Sequence, residues 1–220
     1  MLSLALNANV RRTAANAYGS GTSLADINPR GDLMAALALP ERSELVRLGN
    51  SYAAQVPAAS AWTALITIPT TLANLSLQNG SSQSSGIYYL IDRFWIKAVT
   101  STASAGVVTP LAQLVAPGTA LVADNAAVLR WSLNGKTTTG TGAQLVMAST
   151  ATGCVVDKWM HFSSAIQSMT TNIASCMEVL CYGRYLVPPQ GSFNINAQES
   201  VSGGTLLAGV EWHEVVLVNG

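Results

Sequence analysis

A chain of 220 residues with 49% hydrophobic and only 10% charged side chains has ample apolar material for a core. It has little charge to solvate its surface, since soluble domains usually carry roughly 25% Asp, Glu, Lys and Arg. Lys plus Arg and Asp plus Glu stand at 11 each, a formal net charge of zero. That argues against a nucleic-acid surface, which needs a basic excess to displace counterions, and favours self-association over dispersion.

Residues 7–31 are rich in Asn, Ala, Gly, Ser and Thr, with Arg11, Arg12 and Arg30 and no sustained periodicity. Such a stretch cannot bury a core and reads as an arm. The opening Met1-Leu2-Ser3-Leu4-Ala5-Leu6 is short and precedes its arginines, so it does not read as a secretory signal. Pro40 suits the first turn of a helix, Glu41 and Glu44 its positive end, Arg47 its negative end, and Gly49 its stop. From Ser51 onward the chain punctuates itself as strands. Residues 62–68 are β-rich and closed by Pro69, and Leu72, Ala73, Leu75 and Leu77 approach a Ser-rich turn at residues 79–86. The strongest strand pattern covers 87–99. Further strands are expected at 107–116 (kinked by Pro110), 126–133, 143–148, 155–162, 177–187, 192–198 and 206–218. Residues 163–175 offer Ile166, Met169 and Ile173 at helical spacing. No fixed-period repeat appears, which disfavours propellers and solenoids. The uncharged stretch 48–91 is broken by Pro57, Pro69 and Gly80, so no membrane span is expected.

The chemical motifs fail on spacing. Asn134-Gly135-Lys136-Thr137 copies the end of a phosphate loop, but Arg130 stands where its first glycine belongs and no helix start follows. A hairpin turn with Asn134-Gly135 at positive φ accounts for it. Cys154, Cys176, Cys181, His161 and His213 show no ligand spacing and read as buried thiols and half-buried histidines. Cys176 and Cys181 are an odd number of residues apart on one strand, so they face opposite ways and do not pair. No elbow or oxyanion motif accompanies a cysteine or serine nucleophile. Glu199, Glu211 and Glu214 could supply paired carboxylates for glycoside hydrolysis. An uninterrupted strand sends Glu211 and Glu214 to opposite faces, and cross-strand pairing with Arg93, Lys97, Arg130 or Arg184 is the preferred reading. Trp62, Trp95, Trp131, Trp159 and Trp212 sit among apolar neighbours and read as core rather than as a carbohydrate platform.

Several stretches carry a likeness. They are Gly31-Asp32-Leu33, Leu39-Pro40, Glu44-Leu45-Val46-Arg47-Leu48-Gly49 and Tyr89-Leu90-Ile91-Asp92-Arg93. The run from Tyr182-Gly183-Arg184-Tyr185 through Pro188-Pro189-Gln190-Gly191-Ser192-Phe193, and Leu207-Ala208-Gly209-Val210-Glu211-Trp212-His213-Glu214-Val215, complete the set. Together they make the chain from about Gly31 resemble uncharacterised virion structural proteins of tailed bacteriophages; residues 1–30 are not covered. The resemblance implies a virion location and a β-sandwich, and it brings no catalytic residues.

The expectation is an all-β chain. A jelly-roll-type β-sandwich fills residues 51–220, preceded by an extended N-terminal arm and one short helix in residues 1–50. The expected role is that of a bacteriophage virion structural protein, a minor capsid or capsid-decoration protein made in the host cytoplasm. It would bind itself, with a trimer favoured, and other virion proteins such as the major capsid protein. The alternative is a tail or fibre protein recognising a host-surface glycan. No enzyme activity, cofactor, metal, nucleic acid or membrane is expected, and no catalytic, cofactor-binding or metal-ligating residue is assigned.

Overall fold

The computed structural model describes residues 13–14, 17–18, 41–63, 65–70, 73–100, 107–117, 121–136, 142–149, 155–162, 176–200 and 203–217. In the leading segment these include one two-residue ladder, β1 (Thr13–Ala14) with β2 (Ala17–Tyr18). The expected arm otherwise lies outside the described residues, as do residues 163–175 and Cys154.

The expected helix is present as α1 (Glu41–Leu48). It ends as its sequence dictates. Gly49 takes a left-handed φ of 82°, its N–H bonds to Val46 O at 3.0 Å, and Asn50 N–H bonds to Leu45 O at 2.9 Å. That is the paired arrangement a glycine one residue past a helix permits. The chain then enters β3 (Ser51–Gln55) directly. No described helix is long and apolar enough to cross a membrane.

The remaining strands are β4 (Trp62–Thr63), β5 (Ala73–Asn79), β6 (Ile87–Thr100), β7 (Val108–Val115), β8 (Leu129–Ser132), β9 (Ala143–Ser149), β10 (Met160–His161), β11 (Cys176–Val187), β12 (Ser192–Glu199) and β13 (Thr205–Val216). They form two antiparallel sheets, ordered β11-β6-β13-β3-β8 (with β4 also on β13) and β10-β7-β12-β5-β9. The pairing is concentric along the chain. β3 pairs with β13, β5 with β12, β6 with β11 and β7 with β10. An eight-stranded ribbon folded at its middle and wrapped once pairs in this way, and it is the jelly roll expected from the sequence. Two further strands lie between β7 and β10 and widen the sandwich: β8 joins the first sheet beside β3, and β9 the second beside β5.

Alternation explains the packing. In β5, Ala73, Leu75 and Leu77 alternate with Asn74, Ser76 and Gln78; in β12, Phe193, Ile195 and Ala197 alternate with Asn194 and Asn196. Leu75, Leu77, Phe193, Ile195 and Ala197 meet Tyr89, Ile91, Phe94, Ile96, Val210 and Trp212 of the other sheet in one core. A chain of rings runs through it, with Phe94 5.1 Å from Phe162 and 5.9 Å from Phe193, and Tyr185 5.9 Å from Phe193. Pro110 sits inside β7 without costing a ladder bond to β12. Its carbonyl accepts from Phe162 N–H at 3.1 Å, so its missing N–H faces the side where two-residue β10 ends.

Three local expectations are corrected. The stretch 62–68 forms only β4 and a parallel bridge between Leu65 and Gln198, with Ile66 exposed, because it crosses to the other sheet. The stretch 155–162 is a 3₁₀ turn, Val156–Lys158, followed by β10. Asn134-Gly135 is not a hairpin turn, since β8 and β9 lie in different sheets. Gly135 has a φ of 77° but Asn134 does not have a positive one. Asn134 Oδ1 instead accepts from Ser132 Oγ at 2.8 Å and Lys136 N–H at 3.1 Å, a side-chain-capped turn.

Candidate functional site

The outer face of the first sheet carries exposed aromatic, aliphatic and charged side chains, and strand register places each of them. One row of outward residues runs Glu178, Trp95, Gly209, Gln55 and Leu129 across β11, β6, β13, β3 and β8. The next runs Leu180, Arg93, Glu211, Ala53 and Trp131. Their chain neighbours Val179, Phe94, Val210 and Ala54 point into the core, as a period of two requires.

Within these rows Arg93 Nε donates to Glu211 Oε2 at 2.6 Å, and its Nη1 donates to Glu178 Oε1 at 2.5 Å. The cross-strand pairing expected for Glu211 is therefore present. Trp95 fills the space above Gly209, where an added Cβ would lie 2.1 Å from the indole. Its Nε1–H reaches across β13 to Gln55 Oε1 at 3.2 Å, and the Arg93 guanidinium carbon is 5.8 Å from its ring centroid, within cation–π range. Trp131 is 46% exposed, with Leu129 and Leu180 also exposed.

The core reading of the tryptophans thus holds for Trp212 and for buried Trp159, whose indole N–H donates to Pro69 O at 2.8 Å. It fails for Trp131, and Trp95 lies on the outer face. The reason is parity: Trp95 follows core Phe94, and Trp131 opposes outward Ala53. Apolar neighbours in sequence could not separate the two faces of a strand whose outer side is also apolar.

The outer face of the second sheet is polar yet buried. Asn74 Nδ2 donates to Asn196 Oδ1 at 2.5 Å and Ser76 Oγ to Asn194 Oδ1 at 2.6 Å. Gln113 clasps the backbone of Val155 through both ends of its amide, and Val122 N–H donates to Gln78 Oε1. The Gln113 and Gln78 bonds strap connecting segments over the sheet, and the Asn and Ser bonds join β5 to β12, while Asn74 Oδ1 and Gln78 Nε2 have no partner among the described residues.

The catalytic and metal candidates scatter. Cys176 is exposed and Cys181 buried, on opposite sides of β11 as expected. His161 is exposed and His213 buried, so neither is half-buried as expected. His213 Nδ1 lies 2.6 Å from Ser51 Oγ, a pairing that motif spacing could not reveal because 162 residues separate the two. Both are closed from solvent, so the pair is positioned to bind β13 to β3 rather than to meet a substrate. Glu214 lies beside Tyr52 and Tyr89. Burial, and then the Glu214 charge, push Tyr52 up to about 12 and raise Tyr89 further. Glu199 is wholly buried, and neither carboxylate oxygen has a hydrogen-bond partner among the described residues. Lys136 ends the described part of the phosphate-loop copy, in the capped turn noted above. Among the described residues no three His, Cys, Asp or Glu side chains gather as a metal-ligand set.

Fold and face together define an all-β jelly-roll sandwich with an aromatic and charged outer sheet. No family model matches the chain, and no curated protein matches it. A solved structure described as "KBV activated particle at acidic pH" is similar at 12% identity and a TM-score of 0.26, over 96% of this chain and 88% of that one. At that TM-score nothing is carried from it to this chain.

Proposed function

We propose that the chain is a structural protein of a bacteriophage particle, a minor capsid or capsid-decoration protein that acts by binding itself and the shell. The observation that carries the reading is the concentric jelly-roll pairing, an architecture that viral shells use among others, in a chain with 10% charged residues. The bacteriophage resemblance of the sequence supports it.

The edge strand β11 offers the means. It runs twelve residues along the rim of the first sheet, and an edge of that length invites a partner. A bulge interrupts it: four residues, 181–184, stand against Asp92 of β6, with Tyr182 and Gly183 both at positive φ. The bulge hinders continuous strand addition and leaves Leu180 and Tyr182 exposed at 47% and 55% as anchors for side-chain packing. A homo-oligomer follows, a trimer being the form expected for a shell jelly roll. Light scattering of the whole chain at micromolar concentration tests it. A multiple of the 22.9 kDa chain mass that falls to one chain in Tyr182→Asp supports the reading, and a clean monomer overturns self-association. Recovery with heads, not tails, from dissociated particles supports the capsid station.

A further inference from the structure

We infer that Asn134-Gly135 is a self-modifying site, at which the folded chain slowly converts Asn134 to aspartate or isoaspartate and so loosens the end of α1. The inference does not depend on the particle reading.

The chemistry is an intramolecular displacement followed by addition of water. The Gly135 backbone nitrogen attacks Asn134 Cγ, and the tetrahedral centre that forms carries its negative charge on Oδ1. It collapses by expelling the side-chain nitrogen, which leaves as ammonia with the proton the glycine nitrogen gave up, and a five-membered imide remains. Water then adds to either imide carbonyl and opens the ring to aspartate or isoaspartate. Closure needs a following residue with no β-carbon in the way. Gly135 provides that, is exposed, and has no heavy atom within 4 Å of where a Cβ would stand.

Two donors already point at the oxygen that becomes charged. Ser132 Oγ–H donates to Asn134 Oδ1 at 2.8 Å and Lys136 N–H at 3.1 Å, the spacing that stabilises an oxyanion. The Gly135 N–H is held by Ser132 O at 3.0 Å. That one turn bond must open before attack, which keeps the reaction slow.

The chain carries its own control. Of its three Asn-Gly pairs, Asn219-Gly220 lies outside the described residues. Asn79-Gly80 shares the Oδ1 bond to the N–H two residues on, here from Ser81 at 3.2 Å, but Asn79 is wholly buried. Its Nδ2, the leaving group, is held by Ile87 O at 2.8 Å and Val187 O at 3.2 Å. Gly80 N–H is held by Gly142 O at 2.9 Å. Without water to take the proton or open the ring, that pair stays intact.

The consequence falls on α1. Asn134 Nδ2 and Lys136 Nζ lie 2.7 and 3.1 Å from where a Cβ of Gly49 would stand, just past the last residue of the helix. A helix C-terminus carries partial negative charge and favours a cation such as Lys136. A carboxylate at position 134 opposes it, and isoaspartate also adds a backbone atom to the turn. Either product weakens the Gly49 and Asn50 N–H bonds that end the helix.

The test is to age the whole chain in mildly alkaline buffer and sequence its peptides by mass spectrometry, which reads the exchange of NH2 for OH. Conversion at Asn134 should exceed that at Asn79 at least tenfold, fall severalfold in Ser132→Ala, and become equal at the two sites in denaturant. Amide hydrogen exchange at Gly49 and Asn50 should be severalfold faster in the aged chain and in Asn134→Asp. An Asn134 that stays intact in native protein but converts once unfolded overturns the site. Equal conversion of Asn134 and Asn79 in native protein, or faster conversion in Ser132→Ala, overturns the assigned geometry. Unchanged exchange at Gly49 and Asn50 in the aged chain overturns the link to α1.

Discussion

Trp95 and Gly209 are complementary in volume: the indole occupies the space that any side chain at position 209 would need, 2.1 Å from where its Cβ would stand. Gly209→Ala should therefore displace the ring and break its hydrogen bond to Gln55. The expected cost is about 1–3 kcal/mol, as for other overpacking changes, read as a lower urea midpoint at unchanged slope. In a Trp95→Ala background the same change should cost much less. Equal costs in both backgrounds would show that position 209 is sensitive for a reason other than the indole.

The Arg93 ion pairs should be unequal. The Glu211 side chain is 10% exposed, that of Glu178 42%. Removing Glu178 deletes a screened, half-exposed pair, expected to change stability by about 0–1 kcal/mol. Arg93→Ala strands Glu211 in a largely desolvated position and should cost more, about 1–3 kcal/mol. Glu178→Ala costing as much as Arg93→Ala would mean that the exposed pair carries the network. Chemical denaturation at two salt concentrations measures both.

How much of this was legible from sequence depends on what each feature rests upon. Strands 87–100, 143–149, 176–187 and 192–199 were readable because their alternation or apolar density is local. So was α1, whose Pro40 and Gly49 mark both ends. The two-sheet wrap could be named only as a class, because concentric pairing joins residues such as Ser51 and His213 that share no local pattern. The outer face was misread for a physical reason. A tryptophan that needs a glycine opposite it, or one on an edge strand beside an alanine, looks in sequence like a core residue among aliphatic neighbours. Asn134-Gly135 misled in a similar way: a turn is present, but only Gly135 takes the positive φ expected of both residues, and the segments it joins lie in different sheets.

The cysteines should differ in reactivity. Burial pushes the Cys181 thiol up to about 12, with the Asp92 charge adding to it. Its thiolate is therefore scarce at neutral pH and the sulfur is inaccessible. Cys176 is exposed at the start of β11. Iodoacetamide at pH 8, followed by peptide mass mapping, should modify Cys176 within minutes and leave Cys181 intact until the chain is unfolded. Equal labelling of the two in native protein would show that β11 detaches from the sheet.

Glu199 sets a pH dependence whose sign can be worked out. It ends β12 opposite Val108, wholly buried, with its N–H bonded to Leu65 O at 2.8 Å. Burial disfavours its charged form and raises its pKa in the folded chain. A group whose folded-state pKa is raised contributes stability that is fully present below its unfolded pKa, about 4.3 for Glu. That contribution is lost as pH rises through the folded value. Glu199→Gln is neutral at every pH and lacks this loss. The difference in Tm, variant minus wild type, should therefore be small at pH 4 and become more positive toward pH 7. Each kcal/mol should appear as about 2–4 °C in a chain of this size. Taking the difference cancels the titration of every other carboxylate. A difference that is flat with pH would show that Glu199 stays solvated. One that falls as pH rises would show that its charged form is stabilised in the folded chain, the opposite of what its burial without a hydrogen-bond partner among the described residues requires.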